Sequence, residues 1–135
     1  MAKKKDLLQE RVVYKPFEYQ EAADYWLKQQ QAHWIHTEVP MMSDLNDWNS
    51  NLNETEKNII GSILKGFAQT ETVVNDYWTQ LVTKWFRKPE VIMMATTFGA
   101  FETIHAEAYS LLNETLGLEN FDEFMEDEAT MAKIE

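Results

Sequence analysis

The sequence predicts an all-α fold, and three observations carry that expectation. The 135 residues include only four glycines and three prolines. Two stretches of roughly thirty residues keep apolar positions at three- and four-residue spacing, the period of a half-buried helix. Alternating apolar and polar runs between turn signals, the mark of strands, are scarce. Apolar residues make up 44% and charged residues 26%, so the chain can bury a core rather than stay disordered.

Residues 1–15 read as an N-terminal tail with a basic start at Lys3, Lys4 and Lys5, and Pro16 stops any helix entering from that side. From Glu18 to Ile35 the pattern is helical, with Ala22, Tyr25, Trp26, Gln29 and His33 on one stripe and Trp34 at its end. On pattern alone Trp34 is a core residue, and His33 and His36 sit among polar neighbours as surface residues. Val39 to Trp48 is a connector in which Pro40 bars a continuous helix and Asp44 caps a short turn.

Asn53-Glu54-Thr55-Glu56 opens the first long helix, with Asn53 as N-cap and Glu56 at the third position. The apolar run then passes through Ile59, Ile63, Phe67, Val74 and Trp78 to Trp85. Arg87-Lys88-Pro89-Glu90 is the turn, and Pro89 starts the second long helix, which Gly117 stops. Residues 119–135 are acidic and helical, with Phe121, Phe124 and Met125 as a partial apolar stripe. The sequence stops at Ile134-Glu135 with neither cap nor glycine, which reads as one piece of something larger.

Net charge −11 argues against nucleic acid or an anionic membrane as partner. The absence of cysteine excludes disulfides, zinc–thiolate sites and a cysteine nucleophile. No apolar run follows the basic start as in a signal peptide, and none approaches the roughly 18 residues of a membrane span. The plain reading is cytoplasmic.

Chemistry concentrates in the second long helix. Glu102 and His105 are three apart and Tyr109 follows by four, so one face carries a carboxylate, an imidazole and a phenol. Glu-x-x-His is common by chance as a solvated pair. Here Phe98, Phe101, Ile104 and Leu112 share or flank the face, so it does not read as a solvent face. Glu71 adds a carboxylate on the apolar stripe of the preceding helix, between Phe67 and Val74. A lone carboxylate on one helix and Glu-x-x-His on the next is the pattern of ferritin-like dimetal-carboxylate bundles. Carboxylates with one imidazole suit iron or manganese better than copper or zinc.

Several motifs in order resemble the small, radical-generating subunit of class I ribonucleotide reductase. They are Trp34-x-x-x-Glu38-Val39 with Asp44 and Trp48, then Gly66-Phe67-Ala68-Gln69-Thr70-Glu71, then Phe101-Glu102-Thr103-Ile104-His105-Ala106-Glu107-Ala108-Tyr109-Ser110. The resemblance covers nearly everything from Tyr14 onward. It implies that residues 16–135 are the N-terminal half of a ferritin-like small-subunit domain. Glu71, Glu102 and His105 are then metal ligands, Tyr109 the tyrosine beside the metals, and Trp34 the relay towards the large subunit. The implied cofactor is a dinuclear centre of manganese, iron or both. The implied activity is that of a ribonucleoside-diphosphate reductase subunit.

Two departures from the family pattern matter. Glu71 stands where tyrosyl-radical subclasses usually have aspartate, which resembles subclasses that store the oxidising equivalent on a manganese-containing cluster. The family also uses six protein ligands, and this chain has no second Glu-x-x-His. The expected partners are therefore the C-terminal half of the small subunit, as a separate chain or cleaved fragment, a second small subunit and the large subunit. Two readings compete: another ferritin-like dimetal oxidase, and a non-catalytic metal-binding helical module.

Overall fold

The structure, a computed structural model, describes residues 5–118 and 120–134. Lys3 and Lys4 of the basic start, and Glu135, lie outside the described residues. The described residues form helices and turns without a strand. In order these are α1 (Gln20–Gln31), a 3-10 turn (His36–Glu38), α2 (Met42–Ser50), α3 (Glu54–Asp76), a π-helical segment (Tyr77–Val82), α4 (Thr83–Trp85), α5 (Pro89–Thr115), α6 (Phe121–Met125) and α7 (Glu128–Ile134). Among the described residues no helix is long and apolar enough to cross a membrane.

The chain divides into two compact units, Met1–His33 with Val74–Glu102, and Trp34–Val73 with Thr103–Glu135. In the first unit, Ala22 of α1, Val82, and Val91 and Ala95 of α5 form a buried cluster, with Leu7, Trp78, Phe86 and Met94 packed on it. Small residues at Ala22 and Ala95 let helix backbones come close. Gly99 makes a second close approach: a Cβ there would run into Thr79 Cγ2, and Asn75 Nδ2 donates to the Gly99 carbonyl at 2.6 Å.

A buried ionic knot ties the N-terminal segment to the start of α5. Glu90 has no exposed surface, and its Oε1 accepts the backbone N–H groups of Glu18 at 2.9 Å and Tyr19 at 3.1 Å. Its Oε2 accepts from the Arg11 guanidinium, which also donates to the carbonyls of Val13, Tyr14 and Pro16. Lys88, equally buried, donates to Glu18 Oε2 at 2.9 Å. Burial pushes the Glu90 carboxyl up, but the backbone N–H donors of Glu90, Tyr19 and Glu18 and the Arg11 charge outweigh it. The net pKa lies below the ordinary 4.5.

The sign of the pH effect follows. A folded-state pKa below the unfolded one means the folded chain binds fewer protons, so stability rises with pH through that window. The contribution is whole above the ordinary 4.5 and is lost as pH falls through the lower folded value. Urea midpoints measured from neutral pH downward are expected to fall on the acid side of 4.5, and Glu90→Gln is expected to flatten that fall.

In the second unit α3 starts as its sequence predicts. Glu56 N–H donates to Asn53 Oδ1 at 3.0 Å, and Asn53 N–H donates to Glu56 Oε2 at 2.8 Å. This reciprocal pair satisfies two N–H groups that the helix itself leaves unpaired. Asn53→Ala is expected to lower stability by about 1 kcal/mol in urea denaturation. Trp48 of α2 and Leu118 close around Gly61, and Phe124 of α6 lies against Gly66. Asn113 is fully buried and donates to the Tyr109 carbonyl at 2.8 Å. Asp127 accepts from Thr130 N–H and Oγ1, both at 2.8 Å, which opens α7 and holds its carboxyl below the usual aspartate range.

Three expectations need correction. The first helix ends at Gln31 rather than Ile35: Ala32 N–H closes on the Lys28 and Gln29 carbonyls, and Ile35 is already extended. Asp44 does not cap a turn. Met41 holds the cap position of α2, and Asp44 lies in the first turn, where its charge complements the helix N-terminus. The first long helical run reaches Trp85 but changes to π geometry over Tyr77–Val82. Thr79 returns its hydroxyl to the Asn75 carbonyl at 2.8 Å, and Thr83 returns its own to Thr79, which weakens regular α spacing. Pro89 and Gly117 act as expected: Pro89 opens α5, and Gly117 turns the chain out of it at φ 76°.

Candidate metal centre

Glu71 comes from the middle of α3, and Glu102, His105 and Tyr109 from α5. Both helices are regular at these positions, so side-chain direction follows from register alone. Three- and four-residue steps keep Glu102, His105 and Tyr109 on one face of α5. None of Glu71, Glu102, His105 or Tyr109 is fully exposed or fully buried.

Within the second unit, Glu71 Oε2 lies 3.8 Å from His105 Nδ1. That is longer than a hydrogen bond. Two ligand atoms each about 2.1 Å from one cation lie about 3.0–4.2 Å apart, so the spacing suits a shared ion. The glutamate side chain is 17% exposed and the imidazole 37%, so the pair lines a recess that solvent still reaches. Glu71, Glu102 and His105 make up a candidate metal-ligand group, the one such cluster among the described residues. Its donors are two carboxylates and one imidazole, a set that fits manganese or iron.

Trp34 lies in the irregular segment that follows α1, not inside a helix. Its ring stacks on the His105 imidazole with centroids 6.0 Å apart and planes 23° apart. Tyr109 packs against Phe67 at 5.3 Å between ring centroids. Trp34, Glu71, His105 and Tyr109 line one open cavity of about 500 Å³, with Met41 and Leu112 among its other walls.

The remaining motif residues fall elsewhere. Glu38 and Asp44 are exposed, and Trp48 is buried in its own unit. His33 is exposed, with its ring 5.4 Å from Phe101, and His36 opens the 3-10 turn; neither joins the ligand group. Sequence reasoning missed Met41 as a cavity wall. The Pro40-Met41-Met42 stretch has no periodicity that distinguishes a wall from a surface residue.

Residues 11–135 match the family profile described as ribonucleotide reductase, small chain. A probable ribonucleoside-diphosphate reductase small subunit of Invertebrate iridescent virus 6 is 42% identical over 113 residues, 83% of this chain and 31% of that protein. The corresponding protein of Invertebrate iridescent virus 3 is 37% identical over 131 residues, 96% of this chain and 35% of that one. This chain thus spans about a third of the length of these curated relatives. The fold is similar to that of the crystal structure of Streptococcus sanguinis dimanganese(II)-NrdF, with a TM-score of 0.80 at 21% identity, over 93% of this chain and 46% of that one. That likeness makes the helical architecture ferritin-like.

Proposed function

Because the chain belongs to the family of ribonucleotide reductase small chains, we propose that it supplies half of the dimetal site of a ribonucleoside-diphosphate reductase. In this reading Glu71, Glu102 and His105 hold metal, and the family's further ligands lie outside this sequence. When bound, the manganese or iron pair supplies the redox chemistry that takes an oxidising equivalent from an oxygen species. The chain's own residues set the conditions for it. Glu71 and Glu102 would supply hard carboxylate oxygens whose negative charge offsets that of a di- or trivalent ion. Apolar residues such as Leu112 and Ala108 line the same cavity as Tyr109.

One observation carries the reading: Trp34 stacks on His105, the imidazole that lies 3.8 Å from Glu71. An aromatic ring in contact with a ligand imidazole offers an electron path out of the site. An oxidase acting on a substrate bound at its own metals has no use for such a path. We assign Trp34 to relay towards the large subunit, and Tyr109 to the tyrosine position beside the metals. With glutamate at position 71, the oxidising equivalent need not rest on Tyr109.

The missing ligands are assigned to the C-terminal half of the small subunit, in a cytoplasmic assembly with a second small subunit and the large subunit. An exposed row on α3 supports a covering polypeptide. Ile59, Ile63 and Phe67 are 57%, 48% and 48% exposed, and the same four-residue row continues to Glu71. An apolar row that leads to a metal ligand is a surface a further helix would bury.

The test is reconstitution with manganese or iron, the complementary small-subunit polypeptide and the large subunit. Deoxyribonucleotide formation is expected, and its absence from a fully metal-loaded complex overturns the proposal. In the same assay Trp34→Phe is expected to reduce turnover by roughly 100-fold, the scale of misplacing one group in an assembled site, with metal content unchanged. Intact turnover in that variant would favour a self-contained dimetal oxidase.

A further inference from the structure

Met41 is 8% exposed and lines the same cavity as Glu71, His105, Trp34 and Tyr109. Its neighbour Met42 is 69% exposed. The sequence has no cysteine, so methionine sulfur is its only sulfur. The three oxidisable side chains on the cavity wall differ in chemistry. Trp34 and Tyr109 give up single electrons with a proton. A thioether instead accepts a whole oxygen atom in a two-electron step.

We propose that Met41 is an oxidation site of this cavity, converted to methionine sulfoxide by peroxide that reaches the metal ligands. The inference rests on the metal reading of Glu71, Glu102 and His105. In the step, the sulfur lone pair attacks one peroxide oxygen and forms the S–O bond. The O–O bond breaks, sulfur is oxidised by two electrons, and the other oxygen leaves as water with both protons of hydrogen peroxide. Two-electron oxidant that escapes one-electron use by Trp34 or Tyr109 is thereby captured on a side chain that methionine sulfoxide reductases restore. The product replaces an apolar part of the cavity wall by a polar one.

Exposure and proximity predict opposite orders of oxidation. Bulk peroxide reaches Met42 first, because Met41 is shielded. Peroxide concentrated at the ligand group reaches Met41 first. The experiment loads the complex of this chain and the complementary small-subunit polypeptide with manganese(II), which does not split peroxide into hydroxyl radical, adds equimolar hydrogen peroxide briefly, and locates the added oxygen by tandem mass spectrometry. Fragments cut between residues 41 and 42 separate the two methionines. Metal content is measured on the same sample, with a metal-free complex and a His105→Ala complex in parallel.

The expected result is roughly tenfold more sulfoxide at Met41 with manganese than without, a proximity effect, while Met42 is unchanged. Manganese that is retained by the parent complex and lost in the His105→Ala complex, with Met42 still oxidised before Met41, overturns the Met41 assignment and leaves the metal reading standing. Manganese content that is the same in both complexes overturns the metal reading and the Met41 assignment with it.

Discussion

Glu90→Ala is expected to destabilise the chain by about 3–5 kcal/mol, the scale of breaking a buried ion pair from one side. The carboxylate has no exposed surface and, besides its own backbone N–H, accepts from the Arg11 guanidinium and the N–H groups of Glu18 and Tyr19. Alanine removes the acceptor and leaves those donors in place. Two part-buried N–H groups then lose this acceptor, and Arg11, only 14% exposed, loses its counter-charge. Lys88 is affected indirectly, because its partner Glu18 is the residue whose backbone Glu90 holds. Glu90→Gln keeps an acceptor of the same shape and is expected to have a smaller effect. Urea denaturation of both variants checks this. A loss below about 1 kcal/mol for Glu90→Ala, the range of surface pairs, would show that the knot does not hold the N-terminal segment.

His105→Ala is expected to weaken metal binding by at least about 100-fold, since even groups that only support a ligand are worth roughly 10–100-fold. The substitution removes the sole nitrogen donor from the ligand group and the ring on which Trp34 stacks. At 37% exposure the imidazole is not a core element, so stability of the metal-free chain is expected to change by less than about 1 kcal/mol. Metal titration followed by elemental analysis checks the first effect, and urea denaturation checks the second. A large stability loss with metal affinity unchanged would make His105 a packing residue.

Features encoded within a few residues are legible in the amino-acid sequence itself. Asn53 and Glu56 announce a helix start because their reciprocal hydrogen bonds span three residues. Pro89 and Gly117 bracket α5 through backbone constraints that need no tertiary context. The shared face of Glu102 and His105 follows from helical register, and the apolar flanks of Glu71 mark it as unusual. Features that join residues far apart along the chain are not legible in the same way. Glu90 reads as an ordinary first-turn acid, and its burial arises from Arg11, 79 residues away. Trp34 reads as the end of a helix, whereas its stacking on His105 joins residues on opposite sides of α2 and α3 in the sequence. The π segment depends on threonine hydroxyls competing for the helix carbonyls, and apolar periodicity is blind to that competition.

The claim that this chain carries half of a dimetal site is tested most directly by native mass spectrometry with manganese or iron. The chain would be mixed with a polypeptide that carries the family's remaining ligands. The account predicts one complex containing both polypeptides and a pair of metal ions, with the metal lost when Glu102 is replaced by alanine. A chain that stays alone and metal-free, or a Glu102→Ala complex that keeps its full metal content, would contradict it.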